Sequence, residues 1–324
     1  MAKTEHCRLA GVDLLEKLVE QITNLGTCSR PNLLGGRKMT SETMTKSEHT
    51  GYKLVLSAIL LAATGFFFIG DHIYSSPTLS IGIKFLLTAI PTLILLGLTF
   101  YFQRNERFHK YWEVTFAYFC GSLGLFLAWA PGSWPERLFG VSDSTAQGVA
   151  ILKFSELVPV ALTIILLTMI VQGNLAPIYV QKGNLKAGLG LGLLLSLIIF
   201  GVYLVISSSN IDLEKAIQAI FWMLIFAVSN AFFEELLIRG LLLKRFIALL
   251  GSTWALVLSA LCYGLFILGV QSASGSTQYG ALLLIFPLGL LYGFIMHKSD
   301  SIWGPVCIHA AIDLIFLVSV FAST

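Results

Sequence analysis

Residues 219–249 read AIFWMLIFAVSNAFFEELLIRGLLLKRFIAL, the longest apolar run in the chain. About 20 apolar residues suffice for an α-helix to cross the hydrocarbon core of a bilayer. This run is longer than that, yet it carries Glu234, Glu235 and Arg239 in its second half. An ionisable side chain at membrane depth is costly, and it marks a functional site by default. The stretch therefore poses two questions at once: what kind of protein this is, and what the three charges do.

The rest of the chain answers the first. Apolar runs recur at about 53–70, 82–102, 113–130, 148–172, 188–209, 219–249, 254–270, 279–297 and 302–322. Of the 324 residues, 56% are hydrophobic and 12% charged, and the mean hydropathy is +0.81. Soluble domains carry about 25% charged residues. The runs lack strict alternation, and backbone groups in lipid must pair within their own segment, so the segments are helices rather than barrel strands. The expected fold is an all-α polytopic membrane protein with about eight to nine transmembrane helices. No inverted repeat is visible, which argues against a secondary transporter. The net charge of +3 resides mostly in loops, and no basic patch interleaves with aromatics, so nucleic acid is not an expected partner. The five cysteines (Cys7, Cys28, Cys120, Cys262, Cys307) show no CxxC spacing and read as packing residues.

Residues 1–50 form a polar N-terminal extension, in which GVDLLEKLVEQITNL (11–25) has the apolar spacing of a short amphipathic helix. Residues 51–147 read as accessory transmembrane helices, and 148–324 as the membrane domain that holds the intramembrane charges. Lys and Arg set the orientation. Arg104, Arg107 and Lys110 occupy one loop, Lys182 and Lys186 another, and Lys244 and Arg245 a third, while the intervening loops are nearly free of Lys and Arg. The alternation places the N-terminus in the cytoplasm and the C-terminus on the opposite side.

The charges at membrane depth then divide. Lys84 opens its segment and snorkels to the interface. Lys153 and Glu156 are three apart and read as a structural ion pair. Glu235 and Arg239 are four apart, share a helix face and neutralise each other. Glu234 is turned about 100° from Glu235 and has no in-register basic partner. In the last run, His309 and Asp313 are also four apart, so the carboxylate can fix the imidazole tautomer. Glu234 lies about 15 Å below the surface marked by Lys244, and His309 about 10 Å below the same surface, at 1.5 Å per residue. The two groups can meet there. Two carboxylates and an imidazole suit a hydrolytic site or a proton relay, and the residues alone leave both open.

At this point the sequence resembles the CAAX-protease and bacteriocin-processing (CPBP) family of intramembrane endopeptidases. EELLIR (Glu234, Glu235, Arg239) matches that family's EExxxR motif, and HAAID (His309 to Asp313) its HxxxN/D motif. SDSIWGPVCIHA (299–310) resembles the lead-in to the histidine, and YVQKGNLKAGLGLGLLLS (179–196) the loop and glycine-rich helix before the EE helix. The likeness covers roughly residues 150–324. It implies that Glu234 activates a water, that His309 and Asp313 stabilise the oxyanion, and that Glu235 and Arg239 support them. The substrate implied is a membrane-associated protein or peptide, met within the lipid bilayer.

One motif departs. Where the family's FxxxH histidine belongs, the chain has YGLFI, with Tyr263 at the aromatic position and Ile267 at the histidine position. The attacking water loses one positioning group. A divalent metal is the weaker reading, because catalytic zinc takes three protein ligands. A glutamate mechanism without cofactor is expected, with the Tyr263 hydroxyl as a further candidate for holding the water. The alternative is a catalytically degenerate member that binds or scaffolds.

Overall fold

The structure, a computed structural model, describes residues 46–75, 80–129, 138–273 and 282–323. Helices account for nearly all of them: α1 (Lys46–Ser75), α2 (Ile81–Arg104), α3 (Trp112–Trp129), α4 (Ala146–Gln172), α5 (Leu191–Ser207), α6 (Leu213–Glu234), α7 (Leu241–Leu250), α8 (Ser252–Ala273), α9 (Leu282–Ser299) and α10 (Trp303–Phe321). A π-helical turn at Lys186–Gly190 leads into α5, and a second at Glu235–Gly240 joins α6 to α7. Residues 213–250 therefore run as one rod. The only strand-like pairing among the described residues is an isolated bridge between Ile211 and Ser323. The amphipathic helix expected at 11–25 lies outside the described residues, as do Cys7 and Cys28.

Among the described residues, five helical stretches are long and apolar enough to cross a membrane: 82–104, 146–172, 186–210, 213–250 and 303–321. Three shorter apolar helices cover 50–65, 252–268 and 283–299. The chain is an all-α integral membrane protein, and every apolar run of the sequence coincides with a helix. The distribution of polarity is that of a protein solvated by lipid. Leu197, Val205 and Ile206 on α5 are more than 70% exposed, whereas Glu234, Glu235, Arg239 and His309 are buried.

The helix ends follow local chemistry. The Thr145 hydroxyl caps α4 by accepting from the Gly148 amide at 3.0 Å, and Gly173 ends that helix in a left-handed conformation. The Asp212 carboxylate caps α6 by accepting from the Lys215 amide at 3.1 Å.

Helix α6 lies between α4 and α10, and α10 packs in turn on α5. The last contact explains the glycine-rich sequence GLGLG. A methyl group on Gly192 would lie 2.6 Å from the Gly304 carbonyl oxygen, and one on Gly304 equally close to the Gly188 carbonyl oxygen. The backbones of α5 and α10 touch there, as small residues four apart permit between membrane helices. The loop before α5 is sewn to the start of α10. The Ile302 amide donates to the Tyr179 carbonyl at 3.0 Å, and the Asn184 amide to the Ser299 carbonyl at 2.7 Å. Lys244 on α7 pairs with Asp300 at 2.6 Å. These ties fix the height of α10 against the α6–α7 rod, and so the height of His309 against the two glutamates.

Candidate active site

The sequence treats 219–249 as one regular helix, and the structure modifies that. Glu235–Gly240 forms a π-turn, in which the Leu241 amide faces both the Ile238 and the Leu236 carbonyls. Such one-turn widenings are frequent at functional sites. Here the turn coincides with the EELLIR motif, and Gly240 meets the Ile178 carbonyl so closely that a Cβ would lie 3.2 Å from it.

Glu235 and Arg239 form the ion pair expected from their spacing. Arg239 Nη1 lies 2.5 Å from Glu235 Oε1, and neither side chain has any exposed surface. The guanidinium is also flanked by aromatic faces, 4.4 Å from the Tyr263 ring centre and 5.2 Å from that of Tyr292. A weakly hydrated, planar cation between two rings is well suited to a dry site.

Glu235 has a second role that its spacing did not reveal. Its Oε1 lies 3.0 Å from His309 Nδ1. A carboxylate at this nitrogen keeps a proton on Nδ1 whatever the state of Nε2, and turns Nε2 to the other side of the ring. The tautomer is therefore set by Glu235 from the α6–α7 rod and not, as the four-residue spacing suggested, by Asp313. His309 is further fixed by stacking on Tyr292, with ring centres 5.4 Å apart and planes 16° from parallel.

The Nε2 side of His309 is where the remaining groups gather. Tyr263 Oη lies at 3.4 Å, Glu234 Oε2 at 3.5 Å and Asp313 Oδ1 at 3.7 Å. Glu234 thus has a basic neighbour after all, supplied by α10 rather than by its own helix. Its Oε2 is near enough to His309 for an ion pair but makes no hydrogen bond among the described residues. Its Oε1 accepts from Asn230 Nδ2 at 3.1 Å, and the same nitrogen donates to Asp313 Oδ2 at 3.0 Å.

Asn230 was missed in the sequence, although a signal was present. It stands four residues before Glu234, and a polar side chain at that spacing shares its face. Tyr292 carried no signal, since only the packing of α9 against the cluster brings it to His309. Ile267 is partly buried against the large apolar core. The expected ion pair between Lys153 and Glu156 forms at 2.6 Å, and the Lys153 ammonium lies 4.7 Å from the centre of the Phe233 ring.

An apolar cleft of about 830 Å³ opens between α4 and α6, lined by Phe154, Val158, Phe221, Ile225, Val228 and Ser229. No group of three or more His, Cys, Asp or Glu among the described residues has an arrangement that would hold a metal ion. A buried imidazole with a fixed tautomer, a carboxylate with one unbonded oxygen and a second carboxylate beside them can carry out proton transfer to and from a reacting group.

Residues 216–315 match a family model described as type II CAAX prenyl endopeptidase Rce1-like. No curated protein and no solved structure matches the chain.

Proposed function

We propose that the chain is a CAAX-type intramembrane endopeptidase hydrolysing a peptide bond of a membrane-anchored protein or peptide, a reading supported by the match of residues 216–315 to the Rce1-like family model. Glu234 is the base that activates water, and His309 with Asp313 stabilises the oxyanion. Glu235 orients His309, and Arg239 holds Glu235. The observation that carries this reading is Glu234 Oε2, a buried carboxylate oxygen with no hydrogen-bond partner among the described residues and an imidazole 3.5 Å away. An oxygen in that position, beside an imidazole, can take a proton from water.

The apolar cleft between α4 and α6 lies along residues 221–229 of the helix that carries Glu234. The loop charges orient the molecule with Lys244 and Arg245 at the cytoplasmic face, so cleavage takes place in the cytoplasmic half. Residues 148–324 form the proteolytic domain, with 51–147 as accessory helices and 1–50 as an extension. A metal-free glutamate mechanism needs only the residues already brought together.

The degenerate reading has one observation in its favour, the apolar Ile267 packed where the family has a histidine. The test decides between them. Purified protein in proteoliposomes is given a prenylated CAAX-box peptide, and products are read by mass spectrometry. Wild type is expected to cleave, with Glu234→Gln reduced by about 1,000-fold or more while remaining folded. A Glu234→Gln variant that cleaves like wild type removes the catalytic assignment, and a silent wild type favours the scaffold.

A further inference from the structure

Glu234 and Asp313 face each other across a closed ring of contacts. On one side Asn230 Nδ2 reaches an oxygen of each, at 3.1 and 3.0 Å. On the other, His309 Nε2 lies 3.5 Å from the second oxygen of Glu234 and 3.7 Å from that of Asp313. Both hydrogens of Asn230 leave one planar nitrogen, so the two oxygens that share it are about 5 Å apart. Nothing in the motifs suggests this pairing, because the bridging amide is not part of them.

The charges in the cluster show what the ring must hold. Three carboxylates (Glu234, Glu235, Asp313) are gathered against Arg239 and His309. Even with His309 as imidazolium, and with Lys153 balanced by Glu156, one negative charge is in excess. A buried charge without a counterpart is strongly disfavoured, and a bound proton removes it. Glu235 Oε1 is held by both Arg239 and His309 Nδ1, which favours its ionised form, so the proton is assigned to Glu234 and Asp313. Two neighbouring carboxyl groups, one ionised and the other protonated, are poised to act as base and acid together.

We propose that Glu234 and Asp313 are a proton-sharing catalytic pair, and this rests on the endopeptidase reading given above. Glu234 takes a proton from water as the water oxygen bonds to the scissile carbonyl carbon. The protonated Asp313 gives its proton to the carbonyl oxygen, and a neutral gem-diol results. Asp313 then recovers a proton from one hydroxyl as the C=O bond reforms. Glu234 delivers its proton to the departing amine nitrogen as the C–N bond breaks. The pair ends as it began, with Glu234 ionised and Asp313 protonated. Asp313 thereby provides, from α10, the second proton-handling group that Ile267 on α8 cannot.

The substitution that discriminates is Asp313→Asn, which keeps the shape and the hydrogen bond from Asn230 but removes the acid. In the family motif this position admits either residue, so a purely hydrogen-bonding role would leave activity intact. The groups facing the pair are Lys153 from α4, Glu235 and Arg239 from the π-turn, Tyr263 from α8, Tyr292 from α9 and His309 from α10. All remain in the variant. Cleavage of the same peptide in proteoliposomes is measured against pH. A pair that needs one proton loses activity at low pH, when both carboxyls are protonated, and at high pH, when both are ionised.

Asp313→Asn is expected to lose about 100-fold or more at the optimum and to lose the part of the high-pH limb that Asp313 supplies, leaving only what His309 contributes. An Asp313→Asn protein within about threefold of wild type, with both limbs kept, overturns the pair while leaving the peptidase reading in place. A wild type that cleaves nothing overturns that reading, and the pair falls with it. Should Asp313→Asn not accumulate as folded protein, Asp313→Glu decides instead: both limbs at a reduced rate uphold the pair, and loss of the high-pH limb refutes it.

Discussion

Two ion pairs lie on neighbouring helices of this protein, and they are built differently. Lys153 and Glu156 are joined at 2.6 Å, with 20% and 23% of their side-chain surfaces exposed. Glu235 and Arg239 are joined at 2.5 Å with none. The first pair has a supplementary donor, since the Trp129 indole N–H reaches Glu156 Oε1 at 3.3 Å. The second is encased by Tyr263 and Tyr292 and extends to His309. Helical spacing reveals both pairs equally well. What separates them is burial: losing one partner of a buried pair strands a charge, whereas a pair at the periphery can relax.

The largest effect follows from breaking the buried pair. Arg239→Ala leaves Glu235 ionised or forces it to take a proton, and removes the cation between the two tyrosine rings. The expected cost is about 3–5 kcal/mol, read as a fall in the thermal unfolding temperature of the detergent-solubilised protein. Removing both charges, as in Glu235→Leu with Arg239→Leu, is expected to recover most of that loss, because no charge is left without a partner. The double variant would nevertheless be inactive, since His309 Nδ1 has lost its acceptor. A double variant as unstable as Arg239→Ala would show that the packing of the guanidinium, rather than its charge, dominates.

A smaller effect separates the two tyrosines. Tyr263 presents its hydroxyl to His309 Nε2 at 3.4 Å, while Tyr292 presents its ring face. Tyr263→Phe removes one weak hydrogen bond and little packing, so kcat is expected to fall about 2- to 10-fold with the unfolding temperature nearly unchanged. An unchanged kcat would assign Tyr263 to packing around Arg239 alone.

These contrasts show what could be read from the sequence and what could not. Apolar length and the lack of alternation predicted the helices, because lipid allows the backbone few other solutions. The pairs at i,i+3 and i,i+4 were equally visible. The meeting of Glu234 with His309 followed from depth, which rise per residue fixes. The π-turn was not legible, since ELLIRG shows no local feature that separates a wider turn from a regular one. Nor was the acceptor at His309 Nδ1. Choosing Glu235 over Asp313 depends on how α10 rotates against α6, which is set by glycine contacts on its far side at Gly192 and Gly304. Asn230 stood in plain view four residues before Glu234, yet its second partner, Asp313, lies 83 residues away.

The smallest expected effect tests the weaker pair. Lys153→Met keeps much of the aliphatic length of the side chain, and with it the contact to the Phe233 ring. It removes the ammonium from Glu156, which keeps the Trp129 donor and enough exposure to be neutralised from the surroundings. The expected cost is about 1 kcal/mol or less, measured by the same thermal unfolding as for Arg239→Ala. A loss matching that of Arg239→Ala would mean that α4 depends on Lys153 as the π-turn depends on Arg239. The two pairs would then be equivalent in the bilayer despite their different burial. Stability retained alongside a fall in cleavage rate would tell something else. It would show that the positive charge of Lys153, near Phe233 and one residue along from Glu234, acts on the site through space while contributing little to the fold.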